Sequence, residues 1–164
     1  MTTQKLLGAL AAVALLAACG SDSSSDQATT GTGGAGGAGL GSGSVRPGSQ
    51  EDLVANIGDR VFFETDRSTL RADQRPVLER QARWMGQHPQ VQVQVEGHAD
   101  ERGTREYNLA LGQRRANAAR DVLVANGVSG ARVSTISYGK DRPTALGSSE
   151  DAWAQNRRAV TTVR

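Results

Sequence analysis

Most side chains able to recognise a charged ligand fall in one stretch, Glu96–Ala118, which reads EGHADERGTREYNLALGQRRANA. It begins at the end of an alternating Val91-Gln92-Val93-Gln94-Val95 segment, crosses a polar loop, and enters a helical pattern running from about Tyr107 to Asn126. Asp100 and Arg102 belong to the loop. On the helix, Asn108, Leu111 and Arg115 recur at spacings of three and four and so share a face, whose N-terminal end looks toward that loop. A guanidinium fork fits a planar carboxylate bidentately, and a carboxylate pairs with an ammonium. A site offering both signs suits a zwitterion, such as a free amino-acid head group. The same spacing equally allows Asp100 and Arg115 to pair with each other.

A metal or hydrolytic centre is the competing chemistry, with His98 and Asp100 as ligands and Glu96 or Glu101 as a base. Strand alternation sends Glu96 and His98 to one face with no evident third ligand, and His88 lies across a helix end. There is no cysteine pair, no H-E-x-x-H and no G-x-S-x-G. A lone histidine in a strand-end loop is more often a hydrogen-bonded scaffold residue. The expectation is therefore a binding protein rather than an enzyme, without a metal or other cofactor. Trp84, near the core stripe of a helix, reads as packing, whereas Trp153 lies in a polar segment that leaves sugar stacking open.

These residues need a scaffold. Of the 164 residues, those from Glu51 onward number 114, enough for one core and too few for two. Their net charge is small, 17 Lys+Arg against 15 Asp+Glu, which gives +2 and argues against a nucleic-acid surface. The pattern alternates strands and helices. Arg60–Glu64 reads as a first strand. Asp73 to Gln87 reads as a helix, with Asp73 as its cap, Pro76 in its first turn, and Leu78, Ala82 and Met85 as its core stripe. The second helix turns Leu109, Gly112, Ala116, Ala119 and Leu123 inward, on a face roughly opposite Asn108, Leu111 and Arg115, and Gly127 follows as its C′ residue. Its small central residues let it lie close to a sheet. Arg132–Tyr138 and Ala159–Val163 complete the strands, with a helical turn at Glu150–Gln155 between them. The resulting βαβαββ order implies an α+β two-layer sandwich, helices packed on one face of a mixed sheet.

The N-terminus is different in kind. Lys5 precedes a thirteen-residue apolar run, Leu6–Ala18, which is shorter than the ~20 residues a spanning helix needs. Leu16-Ala17-Ala18-Cys19 resembles a bacterial lipobox, so residues 1–18 read as a cleaved lipoprotein signal peptide and Cys19, the sole cysteine, as the lipidated new N-terminus. Gly20 in place of aspartate at the next position implies sorting to the outer membrane. Ten of the twenty glycines lie between Gly20 and Gly48, and residues 19–50 hold almost nothing apolar. Such a tract cannot offset its ordering entropy and reads as a disordered tether, with a mean span of roughly 30 Å and a fully stretched reach of roughly 100 Å. Residues 51–164 form the folded domain.

The string GHAD-ERGT-YN-L-LG-RRA resembles the signature of the OmpA-like C-terminal domain family, and within it the peptidoglycan-associated lipoproteins. The likeness extends through Ile136-Ser137-Tyr138-Gly139-Lys140, Pro143 and Asp151–Val160, and the lipobox sits where that group carries one. The resemblance implies an outer-membrane lipoprotein whose domain lies in the periplasm and binds peptidoglycan without covalent attachment, through the diaminopimelate of the stem peptide. Carried over by position, Asp100 holds the side-chain ammonium of that residue and Arg115 its carboxylate. Arg102, Leu111 and Asn108 line the same pocket, and Asp66 reaches it from the loop after the first strand. Asn156, Arg157 and Arg158 stand beside it as support. One departure is Thr65, where these proteins often carry a larger apolar residue. The resemblance further implies partnership with the Tol system, chiefly the periplasmic protein TolB.

Overall fold

The computed structural model describes residues Val45–Arg164. A helical turn, α1 (Gln50–Asp52), runs into a π-helical stretch (Leu53–Ile57). There follow β1 (Arg60–Phe62), α2 (Arg75–Gln87), β2 (Val93–His98), α3 (Arg105–Ala125), β3 (Val133–Gly139), α4 (Glu150–Asn156) and β4 (Arg158–Val163). The four strands form one mixed sheet in the order β1-β4-β2-β3. β2 and β3 are parallel, with α3 as their crossover, while β4 runs antiparallel to both β1 and β2. This is the α+β arrangement that the strand and helix order implies.

One core joins the layers. Val61, Val93, Val95, Val133 and Ala159 of the sheet meet Leu78, Ala82 and Met85 of α2 and Ala116, Ala119 and Leu123 of α3, so both long helices cover the same sheet face. Gly112 lies against Gly97 of β2, the close approach that small residues on α3 predict. Gly127 follows the helix with φ 93°, as the C′ position requires. Two polar side chains inside the core are satisfied by each other and the backbone: Gln81 donates to the Gly58 carbonyl at 2.7 Å and accepts from the Thr161 hydroxyl at 2.8 Å.

Three expectations need correction. Asp73 does not cap α2. Its carboxylate accepts from Arg71 and Gln74 side chains instead, and the helix begins at Arg75 behind Gln74, which makes no side-chain cap bond. The face of α3 carrying Asn108, Leu111 and Arg115 is buried like the apolar stripe, while Leu109 is only half-buried. The ordered body also starts before residue 51: Ser49 caps α1, and the Gln50 side chain accepts from the Val163 backbone N–H at 2.7 Å. Residues 1–18, Cys19 and the tether up to residue 44 lie outside the described residues. Among the described residues no helix is long and apolar enough to cross a membrane.

Candidate functional site

β2 ends in a register shift between Gly97 and His98, and the chain leaves the sheet into the Asp100–Thr104 loop. Asp100 organises that loop. Its Oδ1 accepts the Arg102 backbone N–H at 3.2 Å and Nε at 3.1 Å, and its Oδ2 accepts Arg102 Nη2 at 2.6 Å. Arg157 Nη1 stands 3.5 Å from the same Oδ2. Burial pushes the Asp100 carboxyl up, but these hydrogen bonds and the two guanidinium charges outweigh it and hold the group below its ordinary value. The Arg102 guanidinium lies 4.1 Å over the Trp153 ring, whose Nε1 donates to Glu101. Trp153 is thus a stacking platform for Arg102, and Trp84 packs in the core as expected, donating to Asp52.

Thr104 caps α3, its hydroxyl accepting the Tyr107 N–H at 3.2 Å, so the loop and helix meet at a fixed angle. Asn108 then donates to the Arg102 carbonyl at 2.7 Å. Nearly three turns into the helix, Arg115 is 1% exposed. It does not pair with Asp100. Nε donates to the Arg67 carbonyl at 2.8 Å, Nη1 to the His98 carbonyl at 2.8 Å, and Nη2 to the Glu64 carbonyl at 3.0 Å. A guanidinium has five N–H donors, so one on each terminal nitrogen remains. Burial lowers the Arg115 pKa to about 10, partly offset by Asp100, which leaves it charged at neutral pH.

Thr65, Asp66, Asp100, Arg102, Gly103, Tyr107, Asn108, Leu111 and Arg115 line one open cleft of about 290 Å³. The structure therefore brings together all six residues assigned to the pocket from the sequence. Its charges are two carboxylates and two guanidiniums, with Leu111 supplying an apolar patch. Thr65 takes part through its hydroxyl, which accepts from Arg102 Nη2 at 3.4 Å. Sequence reasoning missed Tyr107, whose hydroxyl donates to the Asp66 carboxylate. An aromatic residue exposed at the start of a helix was the available signal.

Asn156, Arg157 and Arg158 do not act as a unit. Arg157 supports the pocket, donating to the Phe63 carbonyl at 3.1 Å and to Glu150 at 2.7 Å while facing Asp100. Asn156 ties down the loop before α4 through Thr144 and Ala145. Arg158 opens β4 and donates to the Asn156 and Arg142 carbonyls, away from the cleft. His98 also turns away from it. Its imidazole is 2% exposed, tilted against Tyr138, and held neutral with a pKa of about 4 by burial and the charges of Arg158 and Arg142. Among the described residues no group of three or more His, Cys, Asp or Glu side chains could hold a metal ion.

Known proteins resemble this chain in sequence and in fold. The OmpA family model matches residues 62–157. A peptidoglycan-associated lipoprotein of Mesorhizobium japonicum is 60% identical over 123 residues, 75% of this chain and 73% of that protein. One from Pasteurella multocida is 40% identical over 157 residues, 95% of each chain. The crystal structure of the peptidoglycan-associated lipoprotein from Burkholderia pseudomallei aligns with a TM-score of 0.65 and 39% identity, over 69% of this chain and all of that one.

Proposed function

This chain belongs to the OmpA family, and from that premise we propose that it is an outer-membrane lipoprotein whose domain grips peptidoglycan in the periplasm. The lipid sits on Cys19 after removal of residues 1–18, and the chain from there to the ordered body at Ser49 is the tether that lets the domain reach the wall. The ligand is the free end of diaminopimelate in the stem peptide, an ammonium and a carboxylate on one carbon. The ammonium goes to the carboxylate side of the cleft, Asp100 and Asp66. The carboxylate goes to the two N–H groups that Arg115 has left and to Arg102, and Leu111 packs on the methylene chain. Asn108 holds the loop, and Arg157 holds Asp100.

The observation that carries this reading is the cleft itself: two carboxylates and two guanidiniums around one opening, with the Arg115 fork fixed by three backbone carbonyls. A rigid site with both signs selects a ligand with both signs, because a ligand with one leaves a partly desolvated charge unpaired. The relatives' names and an alignment to one of them across 95% of each chain support the lipoprotein part. The reading extends to the Tol system and TolB as partners, which supports envelope integrity and division. It assigns no catalytic residue and no cofactor beyond the covalent lipid.

Co-sedimentation with isolated cell-wall sacculi tests the wall-binding claim. The protein should pellet with sacculi and leave the muropeptide products unchanged; cleavage would make it an enzyme. Cell fractionation tests the anchor. Cys19→Ala should leave the protein free in the periplasm or stalled as an uncleaved precursor, and a lipid-labelled mutant in the outer membrane would contradict it.

A further inference from the structure

The loop after β1 is fastened to the opposite wall of the cleft at four consecutive residues. Arg115 takes the carbonyls of Glu64 and Arg67, Arg102 takes the Thr65 hydroxyl, and the Tyr107 hydroxyl takes the Asp66 carboxylate. Three of these attachments hold the loop in place. The fourth is different, because it acts on a charge that lines the cleft.

Asp66 is the only non-glycine among the described residues with a left-handed backbone, φ 57°. Aspartate tolerates that conformation better than most residues, but it needs surrounding contacts to persist. Its side chain is exposed, and the hydrogen bond it receives comes from a residue 41 positions away. The donor is well placed. Thr104 caps the Tyr107 N–H, and the Arg114 guanidinium lies 6.0 Å over the ring. The hydrogen bond to Asp66 also raises the phenol above its ordinary pKa, so it remains a donor throughout the neutral range.

The two carboxylates of the cleft are unequal. Asp100 faces two guanidiniums, Arg102 at 2.6 Å and Arg157 at 3.5 Å, so part of its charge is already balanced before an ammonium reaches it. Asp66 has the neutral Tyr107 hydroxyl, not a guanidinium, as its hydrogen-bond partner. We infer that Tyr107 is a positioning residue for ligand recognition: its hydroxyl fixes the Asp66 carboxylate at the cleft so that Asp66 joins Asp100 in receiving the ligand's ammonium. This rests on the proposed reading of the cleft as an amino-acid head-group site. The hydroxyl satisfies one lone pair of the carboxylate without neutralising it and leaves the others for the ligand.

The test titrates the purified protein and its Tyr107→Phe, Asp66→Asn and double variants with the tripeptide L-alanyl-γ-D-glutamyl-meso-diaminopimelate. The same tripeptide acetylated on its free diaminopimelate amine serves as the second ligand. Tyr107→Phe should weaken binding of the unmodified tripeptide about five- to twentyfold, with the melting temperature unchanged. It should add little in the Asp66→Asn background, and neither variant should further weaken the acetylated tripeptide. Wild-type affinity in Tyr107→Phe, losses that multiply in the double variant, an equal loss against the acetylated tripeptide, or a lowered melting temperature would each overturn the role of Tyr107. Failure of the wild type to bind the unmodified tripeptide would instead overturn the reading of the cleft, and this role with it.

Discussion

Gly97 of β2 and Gly112 of α3 meet backbone to backbone. A Cβ on Gly112 would stand 2.8 Å from the Gly97 carbonyl oxygen, and one on Gly97 would fall inside the van der Waals envelope of the Gly112 carbonyl. Ser137 of β3 closes the contact, donating to the Leu109 carbonyl at 2.7 Å. This approach sets the depth at which α3 lies on the sheet, and so the distance from Arg115 to the His98 carbonyl it grips.

Gly97→Ala should therefore be among the most damaging single-methyl changes in the domain. The Gly112 carbonyl it would strike cannot yield, because it is main chain. Overpacking of this kind costs ~1–3 kcal/mol and sometimes more. Urea unfolding should show at least that loss for Gly97→Ala and a comparable one for Gly112→Ala. Gly86→Ala, where a Cβ meets nothing within 4 Å, should be neutral or stabilising.

Arg115→Ala tests the fold before it tests the ligand. The substitution leaves three carbonyls without their donor, at ~1–3 kcal/mol for each group that stays buried. Water can reach the more open Glu64 and Arg67 carbonyls, so a total loss of roughly 3–5 kcal/mol is expected. Arg115→Lys keeps the charge, but one ammonium cannot span three carbonyls set around a planar fork, and it should recover less than half of that loss. Thermal unfolding of both variants, measured beside wall binding, separates the two effects. An Arg115→Ala protein as stable as wild type would contradict the cradle.

His98 predicts an acid-sensitive fold. Its folded pKa is about 4, below the 6.5 of an ordinary histidine, because burial and two nearby guanidiniums disfavour the charged form. The unfolded chain therefore binds more protons between these values. Stability due to this group is present above pH 6.5 and is lost as pH falls toward 4, by roughly 2–4 kcal/mol. His98→Asn should flatten the slope of unfolding free energy between pH 7 and 4.5. An unchanged slope would show that carboxylates alone produce it.

Legibility followed the range of the forces. The α2 stripe of Leu78, Ala82 and Met85 and the valines of β2 repeat at the period of their element, and the structure buries them as that period dictates. The partners of Asp73 were not legible, because its capping role competes with a guanidinium two residues upstream. At the cleft, the family string placed Asp100, Arg102, Asn108, Leu111 and Arg115 together. What holds them was hidden: Arg115 reaches carbonyls 48 and 51 residues away, and main-chain acceptors carry no sequence signal. Arg157 is the C-cap of α4 and Arg158 the first residue of β4, so the split between them falls on an element boundary.

Selection of a zwitterion is the central claim, and one titration tests it most directly. The protein is titrated with the stem tripeptide carrying meso-diaminopimelate and with the same tripeptide carrying lysine, which keeps the ammonium and lacks the side-chain carboxylate. Losing one partner of a desolvated charge pair costs ~2–5 kcal/mol, so the lysine peptide should bind at least about thirtyfold more weakly. Arg115→Ala, which removes the fork assigned to that carboxylate, should lose little further affinity against the lysine peptide. Equal affinity of the wild type for the two peptides would contradict the account, even if the protein still pelleted with sacculi.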